Sequence, residues 1–288
     1  MNILYIIGNG FDLHHEMKTS YSHFRIYLKK NNPDCFDAVE KFLILDDKWS
    51  DFEQSLASLD VELLEEEANE FLFPYSDDNW SDSYHHDYEY QLEQYVKTLS
   101  KTLLHEFYNW LNTITLPIKK RLPLSNDGLF LTFNYTDVLN KLYKIPTTQI
   151  VHIHGSLKDS VSSIVLGHNW KPCNRVPLAS YADEYTDTRV SKGYGILDDY
   201  FGETYKPTQK IINNHANFFS SLRTVDCIYV YGHSLSDVDL DYFKEIIKFI
   251  NPSTHWNISY YSQSDCTNIK NSLNTLGISY KKYTLFKI

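Results

Sequence analysis

Asn2-Ile3-Leu4-Tyr5-Ile6-Ile7-Gly8-Asn9-Gly10-Phe11-Asp12 opens the chain and decides its fold class. A mainly apolar run of six residues closed by glycine spells a strand buried on both faces that ends at a tight turn. Glycine at that point lets backbone approach a phosphate, with N–H groups turned toward the anion. The same Gly-x-Gly also serves a plain turn that holds nothing. Counted as Gly-x-Gly-x-x-Gly from Gly8, the sixth position is Leu13, so the hydride-transfer fingerprint is incomplete.

Working outward, Thr19-Ser20 precedes a helical face of Tyr21, Phe24, Tyr27 and Leu28, and residues 31–120 read as mostly helical. Within them Trp49-Ser50-Asp51-Phe52-Glu53 opens a helix that Ser50 or Asp51 can cap, with Glu53 free to reach a pocket. Strands resume at Leu129–Thr132, Ile150–Ile153 and Ile164–Leu166, and residues 171–206 read as a long polar excursion. Cys227–Tyr231, Ile258–Tyr261 and Tyr280–Phe286 complete the strands, with helices between them. Strands alternating with helices predict an α/β fold: a Rossmann-like, mainly parallel, doubly wound sheet over 1–288, with a helical insertion at 31–120. In such sheets ligands sit outside the carboxyl ends of the strands.

Four motifs fall at those ends. Gly8-Asn9-Gly10 is the first. In Asn134-Tyr135-Thr136-Asp137, Asn134 can offer its amide to a carboxamide or ribose and Asp137 can accept from a donor, or Thr136 or Asp137 simply caps a helix. His152 and His154 share a face, but no third ligand lies nearby, so no metal is expected. His154, beside Gly155, is placed as a general base, and His152 as a structural histidine bonded to backbone. Gly232-His233-Ser234-Leu235-Ser236-Asp237 leaves room for the second half of a dinucleotide; Ser236 in place of glycine rules against a nucleophile elbow.

Charge narrows the partners. The net charge is −10, and Glu40–Glu89 alone carries −14, sixteen acids against Lys41 and Lys48, leaving +4 for the rest. That segment does not suit nucleic acid, which needs clustered Lys and Arg. It reads as a solvated helical face or as an insertion shielding a site. Four scattered cysteines fit reduced thiols, and no stretch is long enough to span a bilayer, so a cytoplasmic protein is expected.

Taken together, Gly8-Asn9-Gly10, Phe24-Arg25, Phe133-Asn134-Tyr135-Thr136-Asp137, His154-Gly155 and Gly232-His233-Ser234-Leu235 resemble, in order, the motifs of the sirtuin-like NAD⁺-binding proteins. The set is most similar to the AbiH family of bacterial abortive-infection proteins. Gly8-Asn9-Gly10-Phe11-Asp12, Thr19-Ser20-Tyr21, Trp49-Ser50-Asp51-Phe52-Glu53, Gly167-His168-Asn169 and Gly232–Ser236 carry that likeness. The resemblance implies a sirtuin-like fold and a role in phage defence. It places a dinucleotide, NAD⁺, on Gly8, Asn9, Gly10, Phe11, Asp12, Gly232 and Ser234, with Asn134 and Asp137 at the nicotinamide ribose and His154 as base. The paired CxxC ribbon of the deacylases is absent and position 133 is Phe instead of Gln, so the implied acceptor is water and the implied activity an NAD⁺ glycohydrolase. The alternative is a non-catalytic NAD or ADP-ribose module that signals through a partner or a homo-oligomer, with a phage-derived trigger in either case.

Overall fold

The computed structural model describes residues 2–288 apart from Asn79, and Ser83 through its backbone alone. In chain order the strands are β1 (Ile3–Ile7), β2 (Leu129–Thr132), β3 (Ile150–His152), β4 (Cys227–Tyr231), β5 (His255–Tyr260) and β6 (Tyr283–Lys287). The α-helices are α1 (Asn9–His14), α2 (Tyr21–Asn31), α3 (Pro33–Phe42), α4 (Phe52–Ser55), α5 (Val61–Asn69), α6 (Asp87–Lys97) and α7 (Leu103–Asn112). They continue as α8 (Val138–Lys141), α9 (Thr188–Glu203), α10 (Thr208–Asn214), α11 (Ala216–Ser221), α12 (Leu240–Phe249) and α13 (Gln263–Thr275). None is long and apolar enough to cross a membrane among the described residues.

The chain forms two compact units. The first comprises residues 2–23, 108–165 and 207–288. It holds one six-stranded sheet in the order β3-β2-β1-β4-β5-β6, every pair parallel. This is the order of doubly wound dinucleotide-binding sheets, whose direction of winding reverses between β1 and β4. Alternation along each strand sorts the core into two layers. Leu4, Ile6, Leu131, Val230 and Ile258 pack against Ile212, Phe219, Phe243, Ile246 and Ile269 of α10 to α13. Tyr5, Ile7, Phe130 and Tyr231 pack against Phe11 of α1, Val138 and Leu139 of α8, and Tyr143. Each fully buried side chain of this kind contributes about 1.5–3 kcal/mol.

Register decides what stands at the carboxyl edge. Ile7 pairs with Thr132 and with Tyr231, and Thr132 pairs with His152. The four strands therefore end level, and the motifs after them emerge side by side.

The second unit comprises residues 24–107 and 166–206. Its centre is aromatic: Trp49 and Phe52 stack with ring centroids 4.8 Å apart, and Phe24 meets both edge-on, at 5.9 and 5.8 Å. Trp49 takes a left-handed φ of 55° and anchors its indole N–H on Glu40 at 2.9 Å. The cap expected at the start of α4 is not formed by a side chain: Asp51 makes no such bond, and the Ser50 N–H is held from behind by Asp46.

Two expectations about strands and loops are corrected. Ile164–Leu166 is not a strand; the Val165 N–H is taken by the His154 carbonyl and its carbonyl by the Tyr135 hydroxyl, so the segment tethers a loop. The excursion at 171–206 contains a sixteen-residue helix, α9, capped by Asp187 on the Arg189 N–H. Its buried Gly193, Leu197, Tyr200 and Phe201 are helically spaced, but Gly193 and Gly195 and the many polar residues mask the pattern.

Candidate functional site

At the reversal point the turns after β1 and β4 lie directly on each other. The Gly8 N–H donates to the Tyr231 carbonyl at 3.0 Å and the Gly10 N–H to the Gly232 carbonyl at 2.8 Å. A Cβ on Gly10 would stand 2.7 Å from the Gly232 Cα, and one on Gly232 would run into the Phe11 nitrogen. Gly232 also has a φ of +64°. These glycines are thus required for close backbone packing, and the N–H groups of Gly8 and Gly10 face carbonyls and not an open anion site. Asn9 and Ser234 are exposed on either side, while Phe11 is fully buried. The Asn9 side chain donates to the Thr19 carbonyl, and the Gly232 N–H donates to the Ser259 hydroxyl.

On one side of this junction α1 delivers Asp12, buried to 1 % exposure. Thr136 donates to its Oδ2 at 2.7 Å. Burial pushes the Asp12 carboxyl up to about 7, against the opposing pull of Thr136 and Asn134. Asn134 turns its amide to the Gly8 carbonyl at 3.1 Å, and its own carbonyl faces His152 Nδ1 at 3.0 Å. Asn134 therefore laces the ends of β1, β2 and β3 together. His152 occupies the structural position expected of it, with its pKa lowered by burial. Asp137 turns to lysines, lying 3.2 Å from Lys158 and 3.5 Å from Lys141.

On the other side stand two histidines and one carboxylate. His154 Nε2 is 3.6 Å from Asp239 Oδ1, and His233 Nε2 is 3.4 Å from Asp239 Oδ2. All three residues are buried. His233 Nδ1 accepts the Leu235 N–H at 2.9 Å, which leaves the proton on Nε2, aimed at Asp239. That bond also holds a strained corner, since Leu235 has a φ of 53°. Phe133 forms an aromatic wall, its ring 5.2 Å from His154 and 4.2 Å from His233. A carboxylate between two imidazoles can orient both and stabilise a proton taken up by either. The separations exceed those of tight hydrogen bonds.

Of the expected residues, the sheet's edge thus gathers Gly8, Asn9, Gly10, Phe11, Asp12, Asn134, His154, Gly232 and Ser234, while Asp137 serves a lysine pair. The sequence alone singles out neither Asp239 nor His233 as a site residue. Asp239 reads in sequence as a helix-start acid, and His233 as a spacer between two small residues.

The remaining motifs meet in the second unit. Glu53 Oε2 lies 2.5 Å from the ammonium of Lys206, a residue with no exposed surface. The Lys206 N–H donates to the His168 carbonyl and the His168 N–H to the Thr204 carbonyl. Gly167 permits this, because its Cβ would meet the Thr204 carbonyl oxygen. Burial lowers the His168 pKa to about 4, so the ring is neutral and accepts the Trp170 N–H.

No curated protein matches the chain. The model of one family, described as bacteriophage abortive infection AbiH, matches residues 4–260, which take in the whole second unit, most of the first and every motif discussed above. With nine-tenths of its length so matched, the chain belongs to the AbiH family of bacteriophage abortive infection proteins.

Proposed function

We propose that the chain acts in abortive infection by binding NAD⁺ across the carboxyl ends of β1 and β4 and hydrolysing its nicotinamide–ribose bond. Family membership carries the role in phage defence. The chemistry rests on one observation above the others: the β3-β2-β1-β4-β5-β6 order sets two glycine turns at the reversal point, with the His154–Asp239–His233 group beside them. On this reading the sheet is a sirtuin-like variant of the Rossmann-like fold.

The bond to be broken joins the ribose anomeric carbon to a pyridinium nitrogen. As it breaks, its electron pair passes to that nitrogen and nicotinamide leaves neutral, so no general acid is required. Water adds to the anomeric carbon and its proton goes to the His154–Asp239 pair, giving nicotinamide, ADP-ribose and one proton. Phe133 and the buried setting keep bulk water from the base. Asn9 and Ser234, exposed on the two turns, are the groups that meet the dinucleotide.

The test is nicotinamide release by the purified full chain, alone and with extract of phage-infected cells. Loss of release in both His154→Ala and Asp239→Asn, with folding retained, is the expected result. Equal release from wild type and His154→Ala would overturn the mechanism. Saturable NAD⁺ binding without release under either condition would establish the other reading, a dinucleotide-binding module that signals through a partner.

A further inference from the structure

The second unit contains a cleft that none of the motifs explains. Between α6 and α7 the helix is interrupted by a π-turn, Thr98–Thr102. Such turns carry one residue more than the α-helical repeat, bulge outward and recur at binding sites. Here Leu99, Leu103 and Leu104 from the turn and its exit, with Leu56 and Leu166, line a cavity of about 180 Å³. Among the described residues its lining holds no aromatic ring. A leucine-lined cavity of roughly 150 Å³ accepts a benzene-sized guest, and each water-sized group takes roughly 30 Å³. The space therefore suits an aliphatic side chain of about four to six heavy atoms.

The polar residues of its lining are Ser100, Lys101, Glu203 and Thr204. Lys101 Nζ pairs with Glu203 Oε1 at 2.6 Å, and Ser100 Oγ lies 2.6 Å from Glu203 Oε2. Burial opposes the charge on Glu203, but Lys101 and Ser100 hold its carboxyl below the ordinary value. A carboxylate offers about four acceptor positions, of which these partners take two, and an ammonium offers three donors. Lys101 is largely exposed. An exposed pair of this kind reorganises at little cost. The lining thus presents a negative and a positive group side by side, together with five leucines.

We propose that this cleft binds a free aliphatic α-amino acid of the leucine or methionine type, its side chain among the five leucines, its ammonium on Glu203 and its carboxylate on Lys101. The two charges of the ligand are as closely spaced as those of the lining, so each meets its opposite. A simple amine or a simple carboxylate satisfies only one of them. Every residue of its lining belongs to the second unit.

Calorimetric titration and thermal shift of the full chain test this with L-leucine, L-methionine, glycine, 3-methylbutylamine and 4-methylpentanoate. Leucine and methionine are expected to bind saturably and raise Tm, with glycine at least tenfold weaker and the amine and the acid each about tenfold weaker than leucine. Leu104→Trp, at a half-exposed position, fills the cleft and should abolish binding. Lys101→Ala removes an exposed side chain without touching the core and should make leucine and 3-methylbutylamine bind alike. Equal binding of glycine and leucine, an amine or acid as tight as leucine on the wild type, or no saturable shift up to about 10 mM would each overturn the proposal. So would leucine binding that survives Leu104→Trp.

Discussion

The backbone N–H of Gly10 donates to the carbonyl of Gly232 across the point where the sheet reverses its winding. The turns after β1 and β4 are therefore one welded structure, in which each glycine makes room for the other. Gly232→Ala would combine a left-handed φ with a Cβ on the Phe11 nitrogen. A loss of about 3 kcal/mol or more is expected in urea unfolding. Gly195→Ala, in the middle of α9 with nothing within 4 Å of its Cβ, should stabilise by about 0.5–1 kcal/mol. Similar effects of the two substitutions would show that the contact at the reversal point is not what requires glycine there.

The Glu53–Lys206 pair invites a different experiment. Lys206 has no exposed surface, so Glu53→Gln leaves a buried ammonium short of its carboxylate. The expected cost is about 3–5 kcal/mol. A Glu53→Gln, Lys206→Met double variant should recover much of that loss, because the stranded charge is gone. A double variant as unstable as the sum of the single ones would mean that the two side chains act through separate partners.

The strands of the sheet were legible in the sequence because their signal is local. Ile3–Ile7 and Cys227–Tyr231 are apolar runs closed by glycine, and no tertiary contact is needed to read them. The helix within 171–206 is hard to read for the opposite reason: α9 carries Gly193 where Tyr88 and Leu92 press against it, a demand set by a partner some hundred residues away. The site divides in the same way. His154 stood out beside Gly155 at a strand end, whereas the importance of Asp239 and His233 arises only when register brings the ends of β3 and β4 level with β1. Asn134 was legible as a residue at the edge but not in its role, since its partner is the Gly8 carbonyl, 126 positions earlier.

His233 is predicted to act as a brace as well as a neighbour of Asp239. Its Nδ1 is the acceptor that fixes the Leu235 N–H in a left-handed corner. His233→Ala should cost about 1–2 kcal/mol and speed hydrogen exchange at the Leu235 amide. His233→Gln, whose carbonyl can accept the same N–H, should restore part of the protection. An unchanged exchange rate at Leu235 in the alanine variant would show that the corner is held by packing alone.

Asp12 sets a pH dependence whose sign is unusual for an aspartate. Its folded pKa of about 7 lies above the 3.8 of the exposed side chain, so the folded chain keeps a proton that the unfolded chain releases. The contribution is fully present below about pH 3.8, declines as the pH rises, and is lost once the pH passes about 7. Three pH units correspond to about 4 kcal/mol at most. His168 runs the other way. Its folded pKa near 4 lies below the ordinary 6.5, so its contribution is present above 6.5 and lost as the pH falls through 4. The two overlap in a wild-type profile, and only a difference separates them. Asp12→Asn keeps an acceptor for Thr136 but cannot ionise, so it should unfold at higher urea than wild type at pH 8 and with little advantage at pH 4. Profiles for the two proteins that run parallel from pH 4 to pH 8 would show that the Asp12 carboxyl ionises as freely in the folded chain as in the unfolded one.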